Sequence, residues 1–217
     1  MLRDLPLSSL VQIFISESYE GNLPHGLVKE DERVFLLSKK AMESISTTES
    51  QQGILAKIAI PKREEPEGDF YLILEDIQDP GNLGTIFRTA EAAGISHIFM
   101  NKTCTDIFSP KAVRSTMGSL FRVSFSIHED LESICKMLKK RAVRIYAMHL
   151  SGENVFYQED FRCPSAFMFG NEGNGLSESL TKLSDQLIRI PMQGQIESLN
   201  VATTASILMY EVYRQRQ

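Results

Sequence analysis

The chain has 217 residues, 42% of them hydrophobic and 24% charged, and carries a formal net charge of −5. This composition is ordinary for a globular protein and excludes a disordered, collagen-like or coiled-coil chain. It leaves room for one full domain beside a small one; an acidic chain also lacks global attraction for nucleic acid, so any RNA contact must come from a local basic face.

The first sixty or so residues alternate short strands and helices. Leu10–Ile15 and Arg33–Leu37 read as strands, Ser38 as the cap of a short helix through Met42, and Gly53–Ile60 as a closing strand. Pro61–Asp69 holds two prolines, a glycine and six charges in nine residues and reads as a linker. It divides a small unit, residues 1–66, from a larger one, residues 67–217. In the larger unit Phe70–Leu74 is a continuous apolar run, the pattern of a strand buried on both faces. Turn formers Asp79-Pro80-Gly81-Asn82 follow, then a helix over Leu83–Ala93 stopped by Gly94. Further strands are expected at His97–Met100, Arg144–Met148, Ala166–Phe169 and Leu187–Ile190. Helices are expected over Pro110–Met117, Leu131–Arg141, Glu178–Leu183 and Leu199–Tyr213. Apolar strands alternating with helices predict an α/β fold with a parallel sheet covered on both faces.

No apolar run reaches the ~18 residues needed to span a bilayer, and the N-terminus lacks a signal-peptide pattern. Cys104, Cys135 and Cys163 are scattered and form no zinc-type spacing, which fits a reducing cytoplasm. No GxSxG elbow, HExxH motif or GxGxxG fingerprint is present.

Ligands of open parallel sheets bind beyond the carboxyl ends of the strands, and three such ends are rich in Gly and small polar residues. In the first, Asn82 stands where a helix begins and can cap it, with Arg88 six residues later. Taken alone, that pair is better explained as a capped helix with a solvated arginine. In the second, Gly170-Asn-Glu172-Gly-Asn-Gly175 places three glycines in six residues around a carboxylate, more than a plain turn needs. In the third, Ile190-Pro-Met192 leads to Ser198-Leu199-Asn200, where Ser198 or Asn200 opens the last helix and leaves backbone N–H donors for an anionic group.

Taken in order, Asn82-x5-Arg88, Phe169-Gly170-Asn-Glu172-Gly-x-Gly175-Leu176, Ile190-Pro191-Met192 and Ser198-Leu199-Asn200-Val201 resemble the SpoU (TrmH-like) branch of the SPOUT RNA methyltransferases. The resemblance covers Phe70 to the C-terminus. It implies a sheet whose C-terminal part is threaded as a deep trefoil knot, a homodimer, and S-adenosylmethionine as methyl donor to a ribose 2′-hydroxyl of RNA. By the same resemblance His149, Leu150, Gly170, Ile190, Met192 and Leu199 contact the cofactor. Arg88 is the catalytic arginine, and Asn82, Glu172, Ser198 and Asn200 order it and the ribose. An arginine, always protonated, suits fixing the RNA phosphate and stabilising a developing alkoxide better than accepting a proton. Glu172, expected buried beside a cation, should stay ionised and orient Asn82 or Arg88. No metal is implied, because the leaving group departs neutral. Lys111, Arg114 and Arg122 form the expected phosphate-contacting group; Lys136, Lys139, Lys140, Arg141 and Arg144 read as a solvated helix face.

Phe35–Ala56 resembles the end of the small α/β substrate-binding domain that precedes many SpoU enzymes, truncated at its start. That domain type points to ribosomal RNA. A tRNA-acting enzyme, a base methylase of the same superfamily and a non-catalytic RNA-binding protein are the alternatives.

Overall fold

The computed structural model describes residues 5–46, 52–60 and 67–217. The chain forms two compact units, Met1–Lys62 and Arg63–Gln217. Most of the expected linker, residues 61–66, lies outside the described residues.

In the first unit, β1 (Leu10–Ser16) is flanked by β2 (Val34–Leu37) in parallel and β3 (Ile54–Ile58) in antiparallel pairing. Alternate residues Ile13 and Ile15 are buried, and α1 (Lys39–Ile45) buries Met42. Ser38 caps α1, its hydroxyl oxygen accepting from the Ala41 N–H at 3.3 Å.

The second unit is a seven-stranded sheet whose pairings are all parallel. In chain order its elements are β4 (Phe70–Leu74), α2 (Pro80–Ala93), β5 (His97–Asn101), α3 (Pro110–Ser115), β6 (Phe125–His128), α4 (Leu131–Lys140), β7 (Arg144–Met148), β8 (Asn154–Val155), β9 (Ser165–Phe169), α5 (Glu178–Leu183), β10 (Gln186–Arg189) and α6 (Val201–Gln215). The spatial order is β6-β5-β4-β9-β7-β10-β8. Thus β9, made late in the chain, is inserted between β4 and β7. Both flanks of β9 are satisfied, Leu72 and Tyr146 lying on either side of Phe167. Every residue of β4 and β9 is buried, as their unbroken apolar runs require.

One face of the sheet packs on α2 and α6 through Leu83, Ile86, Phe87, Ala205, Leu208 and Met209. The other packs on α4 and α5 through Leu131, Ile134, Leu138 and Leu180. Each large side chain so buried contributes roughly 1.5–3 kcal/mol. Tyr146 stacks on Phe167 at 5.3 Å, inside the first face. Among the described residues no helix is long and apolar enough to cross a membrane.

Several boundaries differ from the sequence reading, for identifiable reasons. Helix α2 begins at Pro80, not Leu83, because Asp79 rather than Asn82 is the N-cap: its carboxylate accepts from the Asn82 N–H at 2.8 Å. Proline at the first helical position loses no hydrogen bond. Helix α6 begins at Val201, because Asn200 and not Ser198 caps it, accepting from Ala202 N–H at 2.9 Å and Thr203 N–H at 3.3 Å. Strands β6 and β8 were not expected. The first is an edge strand whose Phe-Ser-Ile-His sequence alternates and is half-exposed; the second has two residues.

Candidate active site

Parallel pairing sends the carboxyl ends of β4, β9, β7 and β10 to one rim of the sheet, and the Gly- and Asn-rich turns gather there. After β4 the chain turns sharply at Asp76, which holds a left-handed φ of 56°, an uncommon conformation for a residue with a side chain. Asn101 at the end of β5 fixes it, accepting from the Asp76 N–H at 3.0 Å and donating to the Asp76 carboxylate at 2.7 Å. The Thr103 hydroxyl donates to the same carboxylate. The Asn171 side chain reaches across from β9 to the Asp76 carbonyl at 3.0 Å.

After β9 the chain makes a closed turn. Asn171 and Gly175 exchange two backbone hydrogen bonds at 3.0 and 2.9 Å, while the Asn171 side-chain oxygen accepts from the N–H groups of Gly173 and Asn174. A Cβ on Gly170 would overlap the Gly175 carbonyl and the Leu176 nitrogen. The need for glycine there is internal to the turn.

This turn presents Glu172 to the start of α2. Its carboxylate accepts from Gln78 N–H and Asp79 N–H at 3.2 Å each and from the Asn82 amide at 3.0 Å. Asn82 in turn accepts, through its side-chain oxygen, from the Asn200 amide at 2.9 Å. The polarity of the whole chain is fixed from its two ends. A carboxylate can only accept, so Asn82 must turn its NH2 toward Glu172 and its oxygen toward Asn200. Asn200 must then donate to Asn82 and keep its oxygen for the N–H groups of α6. One residue from each of the three turns is thereby locked to the next.

Desolvation pushes the Glu172 carboxyl up, but donors from Asn82 and the backbone N–H groups of Glu172, Gln78 and Asp79 outweigh it and hold the group below its ordinary range. Glu172 is therefore ionised without the expected cation. Among the described residues its partners are amides alone, because the start of a helix already supplies oriented donors. Asp79 is likewise held low, first by the Asn82 N–H, and Lys111 lies 3.7 Å from its carboxylate.

The other expected site residues are placed as follows. Arg88 is exposed on α2, ~9 Å along the axis from Asn82, with no ion pair or hydrogen bond among the described residues. Ser198 is exposed and outside the amide chain. Arg114 is exposed on α3, whereas Arg122 pairs with Glu91. In the solvated group Lys136 pairs with Glu132, Lys139 with Asp185 and Arg144 with Glu159. The sequence reading missed Asp76, Gln78, Asn101 and Asn171. The run of Asx and Gly residues at strand ends marks these turns, but not which atoms meet.

Three segments on the same rim fit a small molecule with flat and aliphatic parts. After β7, the His149 N–H donates to the Ile188 carbonyl at 3.0 Å, and its Nδ1 pairs with the Ser151 hydroxyl at 2.7 Å. Gly152 packs on the Ile188 backbone so closely that a Cβ would lie 2.9 Å from its carbonyl carbon. Leu150 is 65% exposed and Ile196 60% exposed; Ile190, Met192 and Leu199 are half-buried and Gly170 is buried. Between Pro191 and Leu199 the chain makes no hydrogen bond with any described residue, leaving N–H and C=O groups available beside an apolar wall. That donor set suits an adenosine joined to an aliphatic sulfonium chain. Among the described residues no group of three or more metal-ligating side chains occurs.

Comparison with known proteins bears on the family of the chain. Residues 69–210 match the SpoU rRNA Methylase family. A 23S rRNA (guanosine(2553)-2′-O)-methyltransferase of Bacillus subtilis, RlmP, is 34% identical over 197 residues, covering 86% of this chain and 79% of that protein. A putative RNA methyltransferase of the TrmH family from Porphyromonas gingivalis superposes with a TM-score of 0.84 at 29% identity, covering 99% of this chain and 86% of that one. An AdoMet-bound rRNA methyltransferase from Sinorhizobium meliloti gives a TM-score of 0.76 at 32% identity, covering 85% and 72%. With its family model spanning most of the larger unit, and a relative of that kind 34% identical over 86% of the chain, this protein belongs to the SpoU rRNA methylase family.

Proposed function

We propose that this chain transfers a methyl group from S-adenosylmethionine to a ribose 2′-hydroxyl of RNA, ribosomal RNA first among its substrates. The observation that carries the reading is the Glu172–Asn82–Asn200 chain, which joins the β4, β9 and β10 turns into one rigid rim. His149, Leu150, Gly170, Ile190, Met192 and Leu199 hold the cofactor, through backbone groups and apolar surface. Bound there, S-adenosylmethionine supplies an activated methyl group on a sulfonium centre.

The protein's own part is positioning and electrostatics. Arg88, Lys111 and Arg114 hold RNA phosphates; of these Arg88 and Arg114 carry no competing ion pair among the described residues. The Arg88 guanidinium also stabilises the negative charge that develops on the ribose oxygen as the hydroxyl proton passes to solvent. Asn82, Glu172, Ser198 and Asn200 keep the ribose and the first turn of α2 in register. Residues 1–66 serve as a small RNA-docking domain and 67–217 as the methyltransferase domain. The latter works as a homodimer whose C-terminal segment is threaded as a trefoil knot, as the family resemblance implies.

Isothermal titration with S-adenosylmethionine or its homocysteine product should show saturable binding; none by a folded sample would remove the reading. Transfer of labelled methyl to ribosomal and transfer RNA, followed by nucleoside digestion, should yield 2′-O-methylated ribose from ribosomal RNA. Label on a base, or only in transfer RNA, would replace the proposed acceptor.

A further inference from the structure

Helix α3 and the chain after it run alongside α2, and their contacts bracket Arg88. At the start, Lys111 lies 3.7 Å from Asp79. One turn on, the Ser115 hydroxyl donates to the Pro80 carbonyl at 2.8 Å and occupies the space a Cβ on Gly84 would fill. At the far end Arg122 pairs with Glu91. Gly84, Arg88 and Glu91 fall within about 60° of one another around the α2 axis, so the segment between Ser115 and Arg122 passes the level of Arg88.

That segment carries Met117. It takes the C′ position of α3, its N–H donating to the Arg114 carbonyl at 3.2 Å, with a left-handed φ of 50°. Glycine is the usual residue in this position. Met117 is 64% exposed, so its side chain adds little to the core. A residue with a large apolar side chain therefore stands where backbone geometry favours none and water surrounds it. Exposed cations on the same pair of helices are Lys111 and Arg114 on α3 and Arg88 on α2, with Glu91 also exposed on α2 where it pairs with Arg122.

The geometry points to a nucleobase-binding subsite at Met117. Its thioether packs on the face of a base beside the methylated ribose while Arg114 and Arg88 hold the flanking phosphates. A polarizable, unbranched side chain suits a flat π-surface, and thioether–aromatic contacts are favourable in themselves. Backbone strain kept at an exposed position is expected where a ligand uses it. This inference rests on the RNA methyltransferase reading and adds to it a residue that chooses the substrate.

The test is Met117→Gly, which removes the platform and relaxes the backbone, so its melting temperature should equal or exceed that of the wild type. The measurements are KM and kcat for labelled-methyl transfer to ribosomal RNA, the S-adenosylmethionine affinity, and the RNA Kd by filter binding. Expected is a rise of about three- to tenfold in the RNA KM and Kd, with kcat and cofactor affinity within about twofold, and recovery in Met117→Leu. An RNA KM and Kd within about twofold of wild type would overturn the subsite. If the wild type transfers no methyl to ribose, the functional reading fails instead, and the RNA Kd of Met117→Gly still decides the subsite.

Discussion

The amide chain can be tested by reversing the sign of one of its links. In Asn82→Asp the NH2 that lies 3.0 Å from the Glu172 carboxylate becomes a carboxylate oxygen. Two unit charges at that separation repel by ~1.4 kcal/mol at the dielectric of water and ~5.5 kcal/mol at an effective value of ~20. Glu172 is exposed, so the lower figure applies, equivalent to about one pKa unit. In the wild type, Glu172 is held below its ordinary value. Its stabilising contribution is complete above the unfolded value of ~4.3 and is lost as pH falls through the depressed folded value. In the variant the carboxyl pair retains a proton to higher pH than in the unfolded chain. Destabilisation is then full near neutrality and is relieved as pH falls through the raised folded value. Thermal unfolding should show the variant lower by about 3–5 °C at pH 7, with the gap to wild type closing toward pH 4.5. Methyl transfer at pH 7 should fall with it. A gap that stays constant over that range would refute the claim that Asn82 donates to an ionised Glu172.

Arg88→Ala should leave the melting temperature unchanged, since exposed, unpaired side chains contribute within ~0.5 kcal/mol. It should retain S-adenosylmethionine affinity by titration yet lose on the order of 10²-fold or more in kcat; equal turnover would remove Arg88 from the chemistry. Gly170→Ala drives a methyl into the Gly175 carbonyl, which should cost about 1–3 kcal/mol in urea denaturation and weaken cofactor binding. Asn200→Ala removes the α6 cap, costing about 1 kcal/mol, and leaves the Asn82 side-chain oxygen without its donor; a larger loss of activity than of stability is expected in paired assays.

The sequence made the larger unit's elements plain where both faces of a strand are apolar, as in Phe70–Leu74 and Ala166–Phe169. It did not reveal β6, because an edge strand needs only one apolar side and the alternation of Phe125-Ser-Ile-His128 is only four residues long. Strand order was equally hidden. Nothing local distinguishes β9 from any other buried strand, so its insertion between β4 and β7 follows from pairing alone. The motif order pointed to Asn82, Glu172 and Asn200, yet a cation beside Glu172 was expected where Gln78, Asp79 and Asn82 supply the donors. Helix starts are read within about three residues, and that margin moved Asn82 from capping α2 to the interior of its first turn. There its amide is free to bridge two other turns.

The late arrival of β9 bears on how the protein matures. A polypeptide leaves the ribosome amino end first, and until Ser165–Phe169 emerges β4 and β7 have bare main-chain edges facing the same gap. Unpaired edges of this kind invite pairing with other chains. The methyltransferase unit must therefore wait for about two-thirds of its length before its middle can close, and shielding of the nascent chain during that interval bears on how much of it reaches the working form.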